Sequence, residues 1–444
     1  MYIVYSLLLA AGLLISLPWW ILQVLRLGKY RAGLKERMGV VPARLRGHAG
    51  KGSIWIHAVS VGEVLAVSHL VAELMKKLPQ TPVFVSTTTA TGQNLARQRF
   101  GEAQVFYLPI DFGFAIRAYQ DALGPRLLIL AEAEFWPNLL HLSRKRGIRV
   151  AIVNARISDR SFPRYRRLRG FFARVLGEAD LFLAQTEVDA QRLRDIGAAA
   201  ERVHVSGNLK FDVRSGGASP LAESLRRAMG QATPVIVCGS TTEGEEDLVL
   251  AAFQEVRQQF PSAVLVLAPR HPERFDKVAG LVSSLGMPLL RRSVWTAGRP
   301  VAGCVFLLDS VGELASVYAL ASVAFVGGSL LPGVGGHNIL EPAQHGVPVL
   351  AGPNTSNFRE IVRIFERGGA ITVVTTGTLA GELRRLVSDV KERARLGQRA
   401  RELFLENTGA TARTLQALEP LLPVPPPQSA KPVRPGDPGP AEDP

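Results

Sequence analysis

Short apolar runs bounded by turn residues recur at positions 54–57, 83–86, 105–108, 127–130, 149–153, 181–184 and 203–205. They return at 235–238, 264–267, 305–308, 323–326, 347–350 and 371–374. Between them lie segments such as 62–77, where Leu65, Leu70, Val71 and Leu74 stand at helical spacing. A strand that is apolar on both faces must be covered on both, and strands alternating with helices make parallel sheets with helices on each side. The pattern predicts an α/β chain. Its 444 residues are too many for one core, so two doubly wound Rossmann-like domains facing each other across a cleft are expected. The boundary is placed at Ser215-Gly216-Gly217, giving domains at 26–214 and 215–422. Residues 410–422 read as a segment that packs back on the first domain. Residues 423–444, dominated by proline, glycine and charge, cannot bury a core and are expected to be disordered.

Residues 2–25 carry no charge. A helix of that length crosses a hydrocarbon core of roughly 30 Å, with a kink at Pro18 and with Trp19 and Trp20 suited to the interface. Arg26, Lys29, Arg31, Lys35, Arg37 and Arg44 follow at once, which puts the rest of the chain on the cytoplasmic side. A cleaved signal peptide would carry positive charge ahead of the run, so 1–25 reads as an uncleaved anchor; a buried core helix is the alternative. The net charge of +14 gathers partly where Arg160, Arg164, Arg166, Arg167 and Arg169 interleave with Phe162, Tyr165, Leu168, Phe171 and Phe172. No nucleic-acid recognition motif accompanies it, so no nucleic acid partner is expected. Anionic membrane lipid or a solvated helix face explains it instead. Cys238 and Cys304, in apolar runs, read as buried thiols of a reducing compartment.

Three polar turns follow apolar runs in the second half: Pro269-Arg270-His271-Pro272, Gly312-Glu313-Leu314, and the glycine-rich stretch from Gly327-Gly328 through Gly335-Gly336-His337-Asn338. Glycine turn followed by helix start aims N–H groups and a positive dipole end at one point, which suits a phosphate. Each turn alone reads as an ordinary tight turn; together they read as a nucleotide site. In the first half Ser60-x-x-Glu63 is a capping box, and Glu63 is equally a strand-end base able to take a proton from a hydroxyl. Glu132 and Glu134 follow another strand, as site carboxylates or as acidic first-turn residues of a helix. Lys210 is a candidate to neutralise phosphate charge or a surface lysine. Ser240 and Glu243 fit a second capping box or a donor contact. No phosphate-loop lysine motif, dinucleotide glycine fingerprint, acidic metal triplet or histidine cluster is present. No metal and no cofactor are therefore expected.

The segments 57–63, 132–138, 154–158, 207–212, 239–246, 269–275, 312–314 and 336–342 stand in an order and spacing that resembles the 3-deoxy-D-manno-octulosonic acid (Kdo) transferases of lipopolysaccharide synthesis. The resemblance runs from the N-terminal segment to about Leu422. It implies a GT-B glycosyltransferase of the cell inner membrane, facing the cytoplasm, that moves Kdo from CMP-Kdo to a lipid A precursor with inversion and without metal. Carried over by motif, it makes Glu63 the general base and Glu132 and Lys210 stabilisers of the transition state. It assigns CMP contacts to Pro269, Arg270, Val311, Gly312, Glu313, Asn338, Ile339, Leu340 and Glu341. Ala133 stands where a threonine is usual, and 330–334 is slightly longer than in many members. The rival readings are a GT-B transferase for another nucleotide sugar and a non-catalytic, membrane-tethered nucleotide-binding protein.

Overall fold

The computed structural model describes residues 1–27, 33–48, 50, 52–212, 219–230 and 233–423. The side chains of Trp19, Trp20 and Arg26 lie outside that description, as do Lys29, Arg31, the 215–217 linker and the 424–444 tail. The chain forms two compact units, Gly207–Ala412 and Met1–Ser206 joined by the chain from Arg413 onward.

The first unit is built on seven parallel strands: β1 (Ser53–His57), β2 (Val83–Thr87), β3 (Val105–Tyr107), β4 (Pro125–Ala131), β5 (Arg149–Ala155), β6 (Leu181–Ala184) and β7 (Val203–Val205). They lie in the order β3-β2-β1-β4-β5-β6-β7. The order turns at β1 and β4, which pair with His57 opposite Leu130. A crevice opens at the carboxyl ends of two such strands because their following helices leave to opposite faces. Burial of both sheet faces explains the unbroken apolar runs: β1 and β2 are buried at every residue. Trp55, Phe106 and Tyr119 pack as one aromatic group at the core, with ring centroids 4.8–6.3 Å apart. Each such buried side chain contributes on the order of 1.5–3 kcal/mol.

The second unit holds β8 (Val235–Thr241), β9 (Val264–Pro269), β10 (Leu289–Arg291), β11 (Val305–Leu307), β12 (Val323–Val326), β13 (Val349–Ala351) and β14 (Ile371–Val373). Their order is β10-β11-β9-β8-β12-β13-β14, all parallel, with the turn in order between β8 and β12. Strand β10 is not foreseen by the apolar pattern. It is a three-residue edge strand that ends on Arg291 and is followed by Arg292, too short to show a period.

One boundary differs from expectation. The units divide after Ser206 rather than after 214, because Phe211 is buried in the core of the second unit with Phe365 and Leu403. Asp212 fixes the same segment by accepting the N–H of Gly409 (2.7 Å) and that of Thr411. The helix Ala410–Leu418 then returns to the first unit, where Arg413 donates to the Ser206 carbonyl (2.8 Å) and Lys77 pairs with Glu419. Cys238 is buried, but Cys304 precedes β11 and is only partly covered.

The N-terminal segment forms one helix, Tyr2–Leu27, with Pro18 inside it. Its first turns rest on the first unit: the Tyr2 hydroxyl donates to Glu178 (2.7 Å), the Tyr2 ring stacks on His141, and Asn138 donates to the Ser6 hydroxyl (3.0 Å). Ile3, Val4, Leu7, Leu8, Leu14 and Ile15 are exposed, Ile15 by 82%. Among the described residues no helix is long and apolar enough to cross a membrane. In the basic stretch Arg164, Arg166, Arg167 and Arg169 face outward from the helices Phe162–Arg167 and Arg169–Leu176, while Phe162, Tyr165, Phe171 and Phe172 pack on the core.

Candidate functional site

In the first unit the candidate residues collect where the strand order turns. Glu63 lies in the first turn of the helix Val61–Lys77, directly after β1. Its carboxylate accepts the Val59 N–H (2.8 Å) and the Ser60 hydroxyl (3.0 Å), while Ser60 accepts the Glu63 N–H at 3.5 Å. The capping box is therefore real. It also holds the carboxylate at the strand end, so the structural and chemical readings of Glu63 describe one geometry. Burial, and then the negative charge of Glu132, pushes the Glu63 carboxyl up to about 7 against the pull of the Val59 N–H; Glu134 adds to the push.

Glu132 follows β4 with φ 58°, a left-handed backbone that is costly for a side-chain-bearing residue. Its N–H is held by the Val153 carbonyl (2.9 Å) of the neighbouring β5. Asn154, in β5, has φ 53°, and the β5–β6 register is broken between Ile152 and Ala155. Glu134 is half-buried, and burial with the Glu132 charge raises it to about 7 while the Trp136 indole opposes. The helix after this loop, Pro137–Lys145, starts on proline and is capped by buried Asp111, which accepts the N–H groups of Asn138 (3.0 Å) and Leu139 (2.9 Å). That cap fixes where the acidic loop ends. His57, the last residue of β1, is buried and pushed down to about 4, so it brings no positive charge to the turn that follows.

Lys210 does not belong to this unit. It lies in the short turn Leu209–Asp212 of the second, its N–H held by Asn208 Oδ1 (3.0 Å).

In the second unit the proposed donor contacts all follow strand ends. Pro269 closes β9, and the Arg270 N–H donates to the carbonyl of Thr241 (2.9 Å), the last residue of neighbouring β8; the Arg270 side chain is exposed. His337 is pushed down to about 4 by burial and then by the Arg270 charge. Val311 is 80% exposed and Gly312 is exposed at φ 89°. Glu313 is engaged by Arg292 through Nε and Nη2 (both 3.0 Å) and by the Ser310 hydroxyl. The same segment approaches the end of β8, since a Cβ on Gly239 would stand 2.9 Å from Leu314. Ile339 and Leu340 have core side chains, so only their backbone can meet a ligand. Asn338 accepts the Leu340 N–H (3.1 Å) and donates to Glu341 (3.3 Å).

Three expectations are corrected here. The N–H groups of the glycine turn after β12 do not form an open phosphate cradle, because the buried carboxylate of Glu245 already accepts those of Gly328 (2.6 Å), Ser329 (3.0 Å) and Leu330 (2.9 Å). The helix that was expected to begin at Asn338 is a single turn, Leu340–Ala343, with little dipole. Nor do Ser240 and Glu243 cap a helix. Ser240 is a left-handed bulge residue (φ 56°), Glu243 pairs with Lys277 at the surface, and the helix is Glu245–Gln259. The hydrogen-bonded pair is two residues further on: Thr242 donates through N–H and hydroxyl to the Glu245 carboxylate (2.9 and 3.0 Å). Thr242-x-x-Glu245 has the same capping spacing, and that was the available signal. Glu246, also buried, is held by Arg274 through two hydrogen bonds (2.6 and 3.1 Å). Among the described residues no group of three or more His, Cys, Asp or Glu side chains is placed to hold a metal ion.

The family model described as 3-deoxy-D-manno-octulosonic-acid transferase (kdotransferase) matches residues 32–213, and that of glycosyl transferases group 1 matches 290–403. The 3-deoxy-D-manno-octulosonic acid transferase of Haemophilus influenzae is 36% identical over 88% of this chain and 91% of its own length. That of Bordetella pertussis is 37% identical over 82% of this chain and 86% of its own. Among solved structures, the UDP-GlcNAc 2-epimerase of Neisseria meningitidis superposes with a TM-score of 0.51 at 14% identity, covering 82% of this chain and 99% of that one; it shares the GT-B-like fold.

Proposed function

This chain belongs to the 3-deoxy-D-manno-octulosonic acid transferase family and is a glycosyltransferase, and we propose that it moves Kdo from CMP-Kdo onto a lipid A precursor, lipid IVA, with inversion. The observation that carries the reading is the Glu63 carboxylate, held by Val59 and Ser60 beside Glu132 and pushed up to about 7. A base of that strength is ionised in part at neutral pH and still binds a proton well. Glu63 takes the proton of a primary hydroxyl on the glucosamine disaccharide as its oxygen bonds to the anomeric carbon of Kdo. The bond from that carbon to the CMP phosphate breaks, and CMP leaves with the electron pair. Glu132 faces the positive charge developing on the sugar; Arg270 and Lys210 steady the phosphate. Residues 311–313, Asn338 and Glu341, with the backbone of Ile339 and Leu340, hold the nucleotide. No metal or other cofactor is assigned a role.

The proposed place of work is the cytoplasmic face of the cell inner membrane. The exposed apolar residues of the Tyr2–Leu27 helix and the outward arginines 164–169 support it, as surfaces for acyl chains and anionic headgroups. The deciding experiment is incubation with CMP-Kdo and lipid IVA, followed by mass spectrometry of the lipid. Appearance of one or more Kdo units with release of CMP supports the proposal. Absence of product from folded protein, or equal use of a UDP-sugar, refutes it.

A further inference from the structure

At the turn in order of the second sheet, Glu245 closes the space between β8 and β12. Its side chain is fully buried, and five donors converge on it. Oε2 accepts the Thr242 N–H, the Thr242 hydroxyl and the Gly328 N–H; Oε1 accepts the N–H groups of Ser329 and Leu330. Successive N–H groups of this kind form a nest for an anion, and here the chain supplies the anion itself. Ser329 extends the bracing to the next strand: its hydroxyl donates to Val326 (2.6 Å) and accepts the Gly352 N–H (2.8 Å), and its carbonyl accepts the Asn354 N–H (2.9 Å).

Gly328 passes this restraint to the donor segment. Its N–H is held by Glu245, its carbonyl accepts the Gly336 N–H (2.7 Å), and a Cβ on it would stand 2.7 Å from the His337 ring. Its φ of 67° is left-handed, a backbone that glycine adopts without steric cost. The place of 336–341 therefore depends on Gly328, and that of Gly328 on Glu245. We propose that Glu245 is a positioning residue for the transfer reaction: lodged in the N–H nest of the 328–330 turn, it sets the 336–341 segment that receives the nucleotide monophosphate of the donor. This rests on the CMP-Kdo reading above. It also means that the donor phosphate is met by groups outside the nest, Arg270 among them.

Glu245→Gln keeps the shape of the side chain but replaces one of its two acceptor oxygens with an NH2 group that faces N–H donors, so part of the turn loses its acceptor. Calorimetry with CMP and steady-state kinetics with CMP-Kdo and lipid IVA test the inference. The CMP dissociation constant and the CMP-Kdo KM are expected to rise about tenfold or more, the scale of one charge-assisted hydrogen bond, with the acceptor KM within about twofold of wild type. A brace that merely supports the fold would lower the active fraction and the melting temperature but leave both KM values alone. If Glu245→Gln does not unfold cooperatively, Gly328→Ala decides the matter. There the carboxylate stays and only the seat under His337 is blocked, so the same donor-selective loss supports the inference and unchanged donor KM overturns it. A wild type that neither binds CMP nor uses CMP-Kdo overturns the functional reading and this inference with it. Wild-type binding matched by a folded Glu245→Gln overturns the inference alone.

Discussion

Glu63 and Glu245 occupy matching places in the two units: each sits in the first turn of the helix after the central strand, where the strand order reverses. Glu245 meets four N–H groups and a hydroxyl. Glu63 meets one N–H, one hydroxyl and the charges of Glu132 and Glu134. A carboxylate whose two oxygens are filled by donors is held in place and serves architecture. One short of donors and close to like charges binds a proton readily, and so is fitted to accept one in a reaction. On the proposed reading, the same position in a doubly wound sheet serves as a brace in one unit and a base in the other, according to what lies across the switch point.

The largest effect that can break this contrast is on turnover. Glu63→Gln keeps a capping side chain but cannot take the acceptor's proton, so turnover should fall by about 10² to 10⁴ while melting temperature and CMP affinity stay near wild type. A folded variant retaining more than about a tenth of wild-type turnover would return Glu63 to a purely capping role. Next in size, Arg270→Ala should weaken CMP binding by about 1.5–3 kcal/mol, since it removes one charge-assisted hydrogen bond to the phosphate and leaves the strand end intact. Calorimetry giving an unchanged affinity would remove Arg270 from the donor site.

The contrast is sharpened by pH. Transfer should rise with pH along an acid limb near 7, and Glu134→Gln, by removing a negative neighbour, should move that limb to lower pH. A limb that stays in place would show that Glu134 does not face Glu63. The smallest effect is on stability. The Glu63 carboxyl is raised in the folded chain above its ordinary 4.5 to about 7, so between those values the folded state holds more protons than the unfolded one. Its contribution makes stability fall as pH rises through that window, and Glu63→Gln should flatten the slope in thermal melts from about pH 4.5 to 7. A slope identical to wild type would place the shift elsewhere.

Much of this protein is legible in its residues alone. Both sheets were, apart from the edge strand β10, because a strand buried on both faces must be apolar throughout and must be flanked by turns. The family was, through motifs at strand ends, and so was the capping box that holds Glu63, through its spacing. What the tertiary structure decided is which polar groups at those strand ends are already spoken for. Ser240 and Glu243 carry the same local signal as Thr242 and Glu245, and only the β8 bulge, which puts Ser240 at φ 56°, selects the second pair. The glycine turn after β12 has the sequence of an open phosphate cradle; its N–H groups are filled by a carboxylate more than eighty residues earlier in the chain. Residue type and local period record what a segment can offer. Hydrogen bonds between distant segments consume that offer, and they exist only once the sheet has brought the strand ends side by side.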